Sequence, residues 1–242
     1  MDAGTRTMEV QIAVSKIKKY ASYSSGDTVE VVERPQGGVS VVLADGQTSG
    51  RGAKAVSNLV VRKVIGLLAE GVRDGAAARA ASDSLYTEKH GKVSSTLNIV
   101  SIDLQSNTMV ITRNNTAPVV IAQGTQINVL DAPCKPIGLY RGTRPEITQI
   151  VMEPELSALI FSDGLVHAGD RYGCSLNIVA NFEELLEGDK RDPQFIADAL
   201  LEKAMALDRN RPEDDISIVV IRVLPYVGDE VRRMTVRLPV GF

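Results

Sequence analysis

Four aspartates stand where the character of the chain changes abruptly. Asp27 closes a Ser/Gly-rich loop after Gly26 and precedes the β-favouring run 28–33. Asp45 ends the apolar run 39–44 and is followed by Gly46. Asp163 follows the apolar run 156–161 and precedes Gly164, and Asp214, with Asp215, opens the run 216–223. A buried strand is a rigid mount for a charged group at its end. If these strand ends meet at one edge of a fold, the carboxylates cannot all stay ionised unless something neutralises them. Hard divalent cations with oxygen ligands, Mg²⁺ or Mn²⁺, do this. Two such ions about 4 Å apart can share a carboxylate and polarise a bridging water into a nucleophile. The glycines after Asp45 and Asp163 let the backbone approach closely, so a carbonyl can join the coordination. Taken alone, Asp-Gly is also a common turn dipeptide, and each motif keeps that second reading.

Other residue types offer less. Gly50-Arg51-Gly52 opens a helical pattern, where free N–H groups can hold an anion. Arg51 is a candidate for a substrate phosphate or simply a solvated arginine. His167, near Asp163, is a proton carrier, a ligand or a surface residue, and we favour the surface. His90 falls at a helix end, where a dipole contact accounts for it. Ser49-Gly50-Arg51-Gly52 is not the Gly-x-Ser-x-Gly of a serine hydrolase. Cys134 and Cys174 have neither zinc nor disulfide spacing and read as reduced thiols.

The elements that must position these groups are legible as alternation and periodicity. Residues 9–17 alternate as a strand, and 28–33 with 39–44 form a hairpin across Pro35-Gln36-Gly37-Gly38. Residues 50–71 carry an apolar stripe at helical spacing, and Asp74 opens a second helix reaching Lys89. Short β runs follow at 95–104, 108–113, 119–122, 127–130, 146–152 and 156–161. Residues 165–192 are mixed, with short helices expected at 175–180 and 182–186. Asp192-Pro193 starts a helix to Leu207, and the last core strand is 216–223. Three parts are expected: a loose N-terminus (1–7), one domain (8–224) and a C-terminal extension (225–242). In the extension, 231–238 alternates as an added strand or a partner-binding arm.

Composition bounds the rest. In 242 residues, 44% hydrophobic and 24% charged content suits a globular core. A net charge of -3, no basic run and only 4% aromatics argue against nucleic-acid partners. No run of about 18 apolar residues predicts a membrane span. The N-terminus lacks a signal-peptide pattern, so a cytoplasmic location is expected.

Read in order, Gly26-Asp27, Ala44-Asp45-Gly46-x-x-Ser49-Gly50, Phe161-Ser162-Asp163-Gly164 and Asp214-Asp215-Ile216-Ser217 resemble the bacterial PP2C-type (SpoIIE-like) serine/threonine phosphatases, above all their small RsbX-like members. The resemblance covers about residues 8–224 and extends to Ser94-Ser95-Thr96-Leu97, Asn115-Thr116-Ala117-Pro118 and Lys135-Pro136-Ile137-Gly138-Leu139. It implies an α+β fold, an αββα sandwich of two antiparallel β-sheets flanked by helices. It also implies two Mn²⁺ or Mg²⁺ ions. Asp45 would bridge both, the Gly46 carbonyl would bind one, and Asp163 and Asp214 the other. Asp27 would bind directly or through water, and Asp215 would support the ligands or trade places with Asp214. Asp45 and Asp163 would then be catalytic through a metal-bound water that attacks phosphoserine or phosphothreonine in line. The implied substrates are phosphorylated STAS-domain or stressosome proteins. Two other readings stay open: a non-catalytic module that binds phosphorylated partners, and a hydrolase of small phosphate esters. The chain departs from the family pattern at Gln47-Thr48, where a glycine is missing, and at Leu165-Val166-His167. It also has Asn114 at the turn glycine, a residue that tolerates a left-handed backbone.

Overall fold

The computed structural model describes residues 8–47, 49–187 and 192–239. The ten strands are β1 (Met8–Ile17), β2 (Asp27–Glu33), β3 (Val39–Gly46), β4 (Ser95–Asp103), β5 (Thr108–Asn114), β6 (Val119–Gln123), β7 (Gln126–Leu130), β8 (Glu146–Val151), β9 (Leu156–Phe161) and β10 (Ile216–Pro225). The α-helices are α1 (Gly50–Ala69), α2 (Asp74–Lys89), the single turn α3 (Asp163–Val166), α4 (Ile178–Glu187) and α5 (Pro193–Leu207). The strands form two five-stranded sheets, ordered β1-β10-β9-β6-β7 and β2-β3-β4-β5-β8. Every pairing within them is antiparallel.

The central strands are apolar on both faces, and the pleat sorts their residues. Val41 and Leu43 of β3 point into the space between the sheets, where Ile160 of β9 and Val219 and Ile221 of β10 meet them. Val42 and Ala44 turn the other way, onto Val56, Val60 and Val64 of α1 and Leu85 of α2. On the far side, Leu159, Phe161 and Val220 pack on Phe182 of α4 and on Ile196 and Leu200 of α5. The result is the expected αββα sandwich. Its α5 starts as its sequence suggests: Asp192 accepts N–H bonds from Gln194 (2.6 Å) and Phe195 (3.4 Å), with Pro193 at the first helical position. β1 and β10 pair along their whole length, from Met8↔Pro225 to Ile17↔Ile216, so residues 8 and 225 lie side by side.

Several expectations need correction. One helix, α4, replaces the two short ones expected at 175–186, because Ile178, Val179, Phe182, Leu185 and Leu186 share one apolar face against α5. Asp163 opens a helical turn after β9 rather than ending the strand. Residues 231–238 pair with no strand. They run exposed, with Met234, Val236 and Leu238 in solvent, and are tied down where Arg232 donates to the Gly37 carbonyl at 2.6 Å and faces Glu33 at 3.7 Å. Alternation alone does not make a strand: the segment reaches the edge strand β2 by the Arg232 side chain, and no backbone ladder forms there. Asn114 does not use a left-handed backbone. It ends β5, and its side-chain amide donates to the carbonyls of Lys135 and Arg144. The N-terminus 1–7 and Thr48, the site of the missing glycine, lie outside the described residues.

Candidate metal centre

The four aspartates come together at one end of the sandwich, from both sheets. Asp27 and Asp45 are direct partners in the β2–β3 ladder. Opposite them, β9 and β10 are neighbours, so α3 with Asp163 and the 208–215 loop with Asp214 emerge together. The end of β9 is pinned to the start of β10: the Ser162 N–H donates to the Ser217 carbonyl (3.0 Å), and the Ser217 N–H donates to Ser162 Oγ (2.9 Å). Ser162 Oγ in turn donates to the Asp215 carbonyl at 3.2 Å.

Two glycines permit this closeness. A Cβ on Gly46 would lie 2.2 Å from the Ala53 carbonyl oxygen, so only glycine lets the first turns of α1 sit over the end of β3. A Cβ on Gly164 would lie 2.2 Å from the Asp215 carbonyl oxygen. Both contacts are with backbone, which cannot swing aside.

The adjacent acidic pair splits into two roles. The Asp215 carboxylate is buried and occupied: Oδ2 accepts the Gly26 N–H at 2.7 Å and Oδ1 accepts the Lys19 N–H at 2.9 Å. It thereby straps the entry of β2, in one sheet, to the start of β10, in the other. The Asp214 carboxylate is exposed and accepts the Asp215 N–H at 2.8 Å.

The electrostatics are those of crowded, dehydrated carboxylates. Burial, then the charges of Asp27, Asp163 and Asp214, push Asp45 up to about 9. Burial raises Asp27 to about 6, although the Ser217 and Ser162 hydroxyls and Lys16 work against it. Asp163 is raised by burial and by Asp214, with His167 opposing. Asp27 is 0% exposed, yet neither of its carboxylate oxygens has a well-formed hydrogen bond; the nearby hydroxyls do not close one. Asp163 Oδ1 is buried and unpartnered as well. Buried polar atoms without partners are rare and costly.

Among the described residues, no three His, Cys, Asp or Glu side chains already converge as a finished cage. The donor set nevertheless fits a hard divalent cation. It is all oxygen, it is short of positive charge, and its most buried member presents two open lone-pair surfaces.

Two lysines that the motifs did not single out belong to this end. Lys16 Nζ and Lys54 Nζ both donate to the Asp27 carbonyl, at 2.6 and 2.8 Å, and Lys54 also reaches Thr28 Oγ1 at 2.9 Å. Burial lowers the pKa of both. The one sequence signal was the place of Lys54 between the buried stripe positions Ala53 and Val56. Arg51 is exposed, with its guanidinium 5.8 Å from the Tyr23 ring. His167 is exposed and faces Asp170, with Nδ1 2.9 Å from Oδ2.

The sequence matches the family profile described as Stage II sporulation protein E (SpoIIE) over residues 35–224. That span includes Asp45, Asp163 and Asp214 and begins after Asp27. The Stage II sporulation protein E of Priestia megaterium is 24% identical over 224 residues, covering 90% of this chain and 37% of that protein. The chain thus spans about a third of that relative's length. Among solved structures, the PP2C phosphatase domain of SpoIIE from Bacillus subtilis, with a fragment of its regulatory domain, superposes with a TM-score of 0.78 at 23% identity. It covers 93% of this chain and 66% of that one. The catalytic domain of the serine/threonine protein phosphatase PstP, in complex with two manganese ions, gives 0.68 at 16% identity, covering 90% and 100%.

Proposed function

The chain belongs to the SpoIIE family of PP2C-type phosphatase domains, and from that premise we propose that it hydrolyses phosphoserine or phosphothreonine in a protein substrate, with Mn²⁺ or Mg²⁺. The observation that carries this is the Asp27–Asp45 pair. Two carboxylates are locked side by side in a β-ladder, facing Asp163 and Asp214, and both Asp27 oxygens are buried without partners.

Asp45, which feels the other three charges, would share the ions. Asp163 and Asp214, from the other sheet, would hold one of them, and Asp27 and the Gly46 carbonyl would complete the set. Asp214 would be the ligand rather than Asp215, whose oxygens already accept two backbone N–H groups. When bound, the divalent ions supply charge neutralisation and acidify water to a nucleophile. The chain's own work is positional. Phosphoryl transfer needs alignment and charge stabilisation more than covalent chemistry. Asp215, Ser162 and Ser217 hold the two sheets in register at this end, and Gly46 and Gly164 keep the backbone close. Arg51, at the first turn of α1, is our candidate for the substrate phosphate. In keeping with the family pattern, the substrate would be a phosphorylated STAS-domain or stressosome regulator in the cytoplasm. Among the described residues, no helix is long and apolar enough to cross a membrane.

The direct test is turnover of a phosphoserine peptide and of p-nitrophenyl phosphate with Mn²⁺, and again after chelation. We expect both to be hydrolysed with Mn²⁺ and neither without it. Hydrolysis that survives chelation would remove the metal from the reading. Binding of phosphopeptide without turnover would instead favour a non-catalytic module.

A further inference from the structure

The loop that delivers Asp214 also carries two exposed arginines, Arg209 and Arg211. Asp208, buried at the end of α5, accepts the Gly169 N–H at 2.8 Å and so ties the 167–173 segment to this loop. Beyond it, Arg209 and Arg211 are exposed. The Arg209 guanidinium stands 4.1 Å from the centre of the Tyr172 ring, and that of Arg211 stands 5.3 Å from the Tyr20 ring. Arg171, on the neighbouring turn, faces Glu213 at 3.4 Å. The 18–20 segment closes the patch: the Tyr20 N–H donates to the Pro212 carbonyl at 2.9 Å, and the Lys19 N–H reaches Asp215. Three stretches far apart in sequence therefore meet at the lip of the acidic centre and present arginines laid on tyrosine rings.

The arrangement suits binding. A guanidinium stacked on a ring keeps its planar fork of donors facing outward and loses little freedom when it pairs. Among the described residues, Arg209 and Arg211 form no ion pair; the partners they have are rings. They are two exposed guanidiniums on a chain whose net charge is -3, while Arg171 beside them is held by Glu213. They adjoin four carboxylates that would repel an anionic substrate.

We propose that the Arg171, Arg209 and Arg211 surface, with Tyr20 and Tyr172, docks an acidic stretch of the protein that carries the phosphorylated residue. The proposal rests on the phosphatase reading above. The surface steers the substrate by complementary charge and holds it beside Asp214 while the phosphate enters. The neighbouring carboxylates disfavour a nucleic acid, whose phosphates run on past the patch.

The test uses the full chain and two synthetic phosphoserine peptides of equal length, one flanked by Asp and Glu and one by Ala and Ser. Binding is read by fluorescence anisotropy of labelled peptides and turnover by phosphate release with Mn²⁺. The wild type should favour the acidic peptide by about tenfold in both readouts, and the preference should shrink as salt rises. Arg209→Glu with Arg211→Glu should abolish or invert the ratio, and the Arg→Gln pair should give an intermediate value. Equal treatment of the two peptides by the wild type, or a preference that survives charge reversal, overturns the proposal. So does tighter binding of a single-stranded RNA oligonucleotide that the reversal weakens while the peptide ratio stays put. If p-nitrophenyl phosphate is not hydrolysed either, the phosphatase reading has failed, and the anisotropy ratio still decides the docking surface on its own.

Discussion

Arg222 and Asp27 are both charges buried in the same sandwich, 1% and 0% exposed, and the fold treats them in opposite ways. Arg222 lies on β10 opposite Ser157 of β9. Its Nε donates to Ser157 Oγ at 3.0 Å, and its Nη2 to Glu155 Oε2 at 3.0 Å. Asp27 heads β2 with both carboxylate oxygens unpartnered and another carboxylate as its ladder partner. Burying a charge is costly unless it is paired and hydrogen-bonded. The chain meets that requirement for Arg222 and leaves it open for Asp27. Since β10 carries Arg222 in its second half and Asp214-Asp215 just before its start, a single strand reaches both regimes. In the function proposed above, the partner missing from the second site is a cation.

The sharpest way to break this comparison is to remove the charge at the centre of the unpaired set. Asp45→Asn should lower Mn²⁺-dependent turnover of a phosphoserine peptide by more than about 100-fold, beyond what loss of a merely supporting residue costs. At neutral pH the metal-free fold holds Asp45 protonated, a cost the unfolded chain does not bear; Asn removes that cost, so the metal-free protein should melt at a higher temperature than the wild type. Both readouts are needed. A variant that kept its turnover, or one that lost metal-free stability as a paired site would, places Asp45 in the same class as Arg222.

A second effect is smaller and concerns pH. Burial and mutual repulsion hold Asp45, Asp27 and Asp163 above their ordinary value of 3.8. The folded chain therefore keeps protons that the unfolded chain releases. Metal-free stability should fall as pH rises from about 4 through the folded values, near 6 for Asp27 and near 9 for Asp45. Lys16 and Lys54, lowered from 10.5, act in the opposite sense, in the alkaline range below that value. With Mn²⁺ present the slope should reverse, because the ion binds only the deprotonated ligands. Thermal melts in chelator and in Mn²⁺, from about pH 5 to about pH 8, test this. Parallel curves in the two conditions would mean that the ion does not bind these carboxylates.

Much of this was legible in the sequence, for a physical reason. Asp27, Asp45, Asp163 and Asp214 each stand at an abrupt change from polar loop to apolar run, and strands buried on both faces announce themselves by composition. The two layers of helices follow from stripes at Val56, Val60 and Val64 and at Ile196 and Leu200. What stayed hidden depends on pairing between distant segments. Nothing local says that β1 lies on β10, or that the Lys16 and Lys54 ammoniums meet at the Asp27 carbonyl. The roles of Asp214 and Asp215 are separable only once the Gly26 and Lys19 N–H groups are seen on Asp215. Residues 231–238 show the complementary limit: the period fits a strand, but the segment meets the edge strand β2 through the Arg232 side chain and not through a backbone ladder, which removes the added strand and leaves the partner-binding arm.

The smallest predicted effect probes the satisfied side of the comparison. Glu155→Gln keeps the shape of the Arg222 partner and removes its charge. Glu155 is 41% exposed, so water screens the pair, and the change should cost no more than about 1 kcal/mol in denaturant unfolding. Ser157 Oγ still accepts from the guanidinium, and the half-exposed rim lets water help stabilise it. Turnover and Mn²⁺ affinity should stay at wild-type levels, because the pair lies toward the end of β10 away from Asp214. A loss of metal affinity in Glu155→Gln would mean that the two ends of β10 are electrostatically linked. Asp27 would then be compensated at long range by the rest of the sandwich and not held open for a cation.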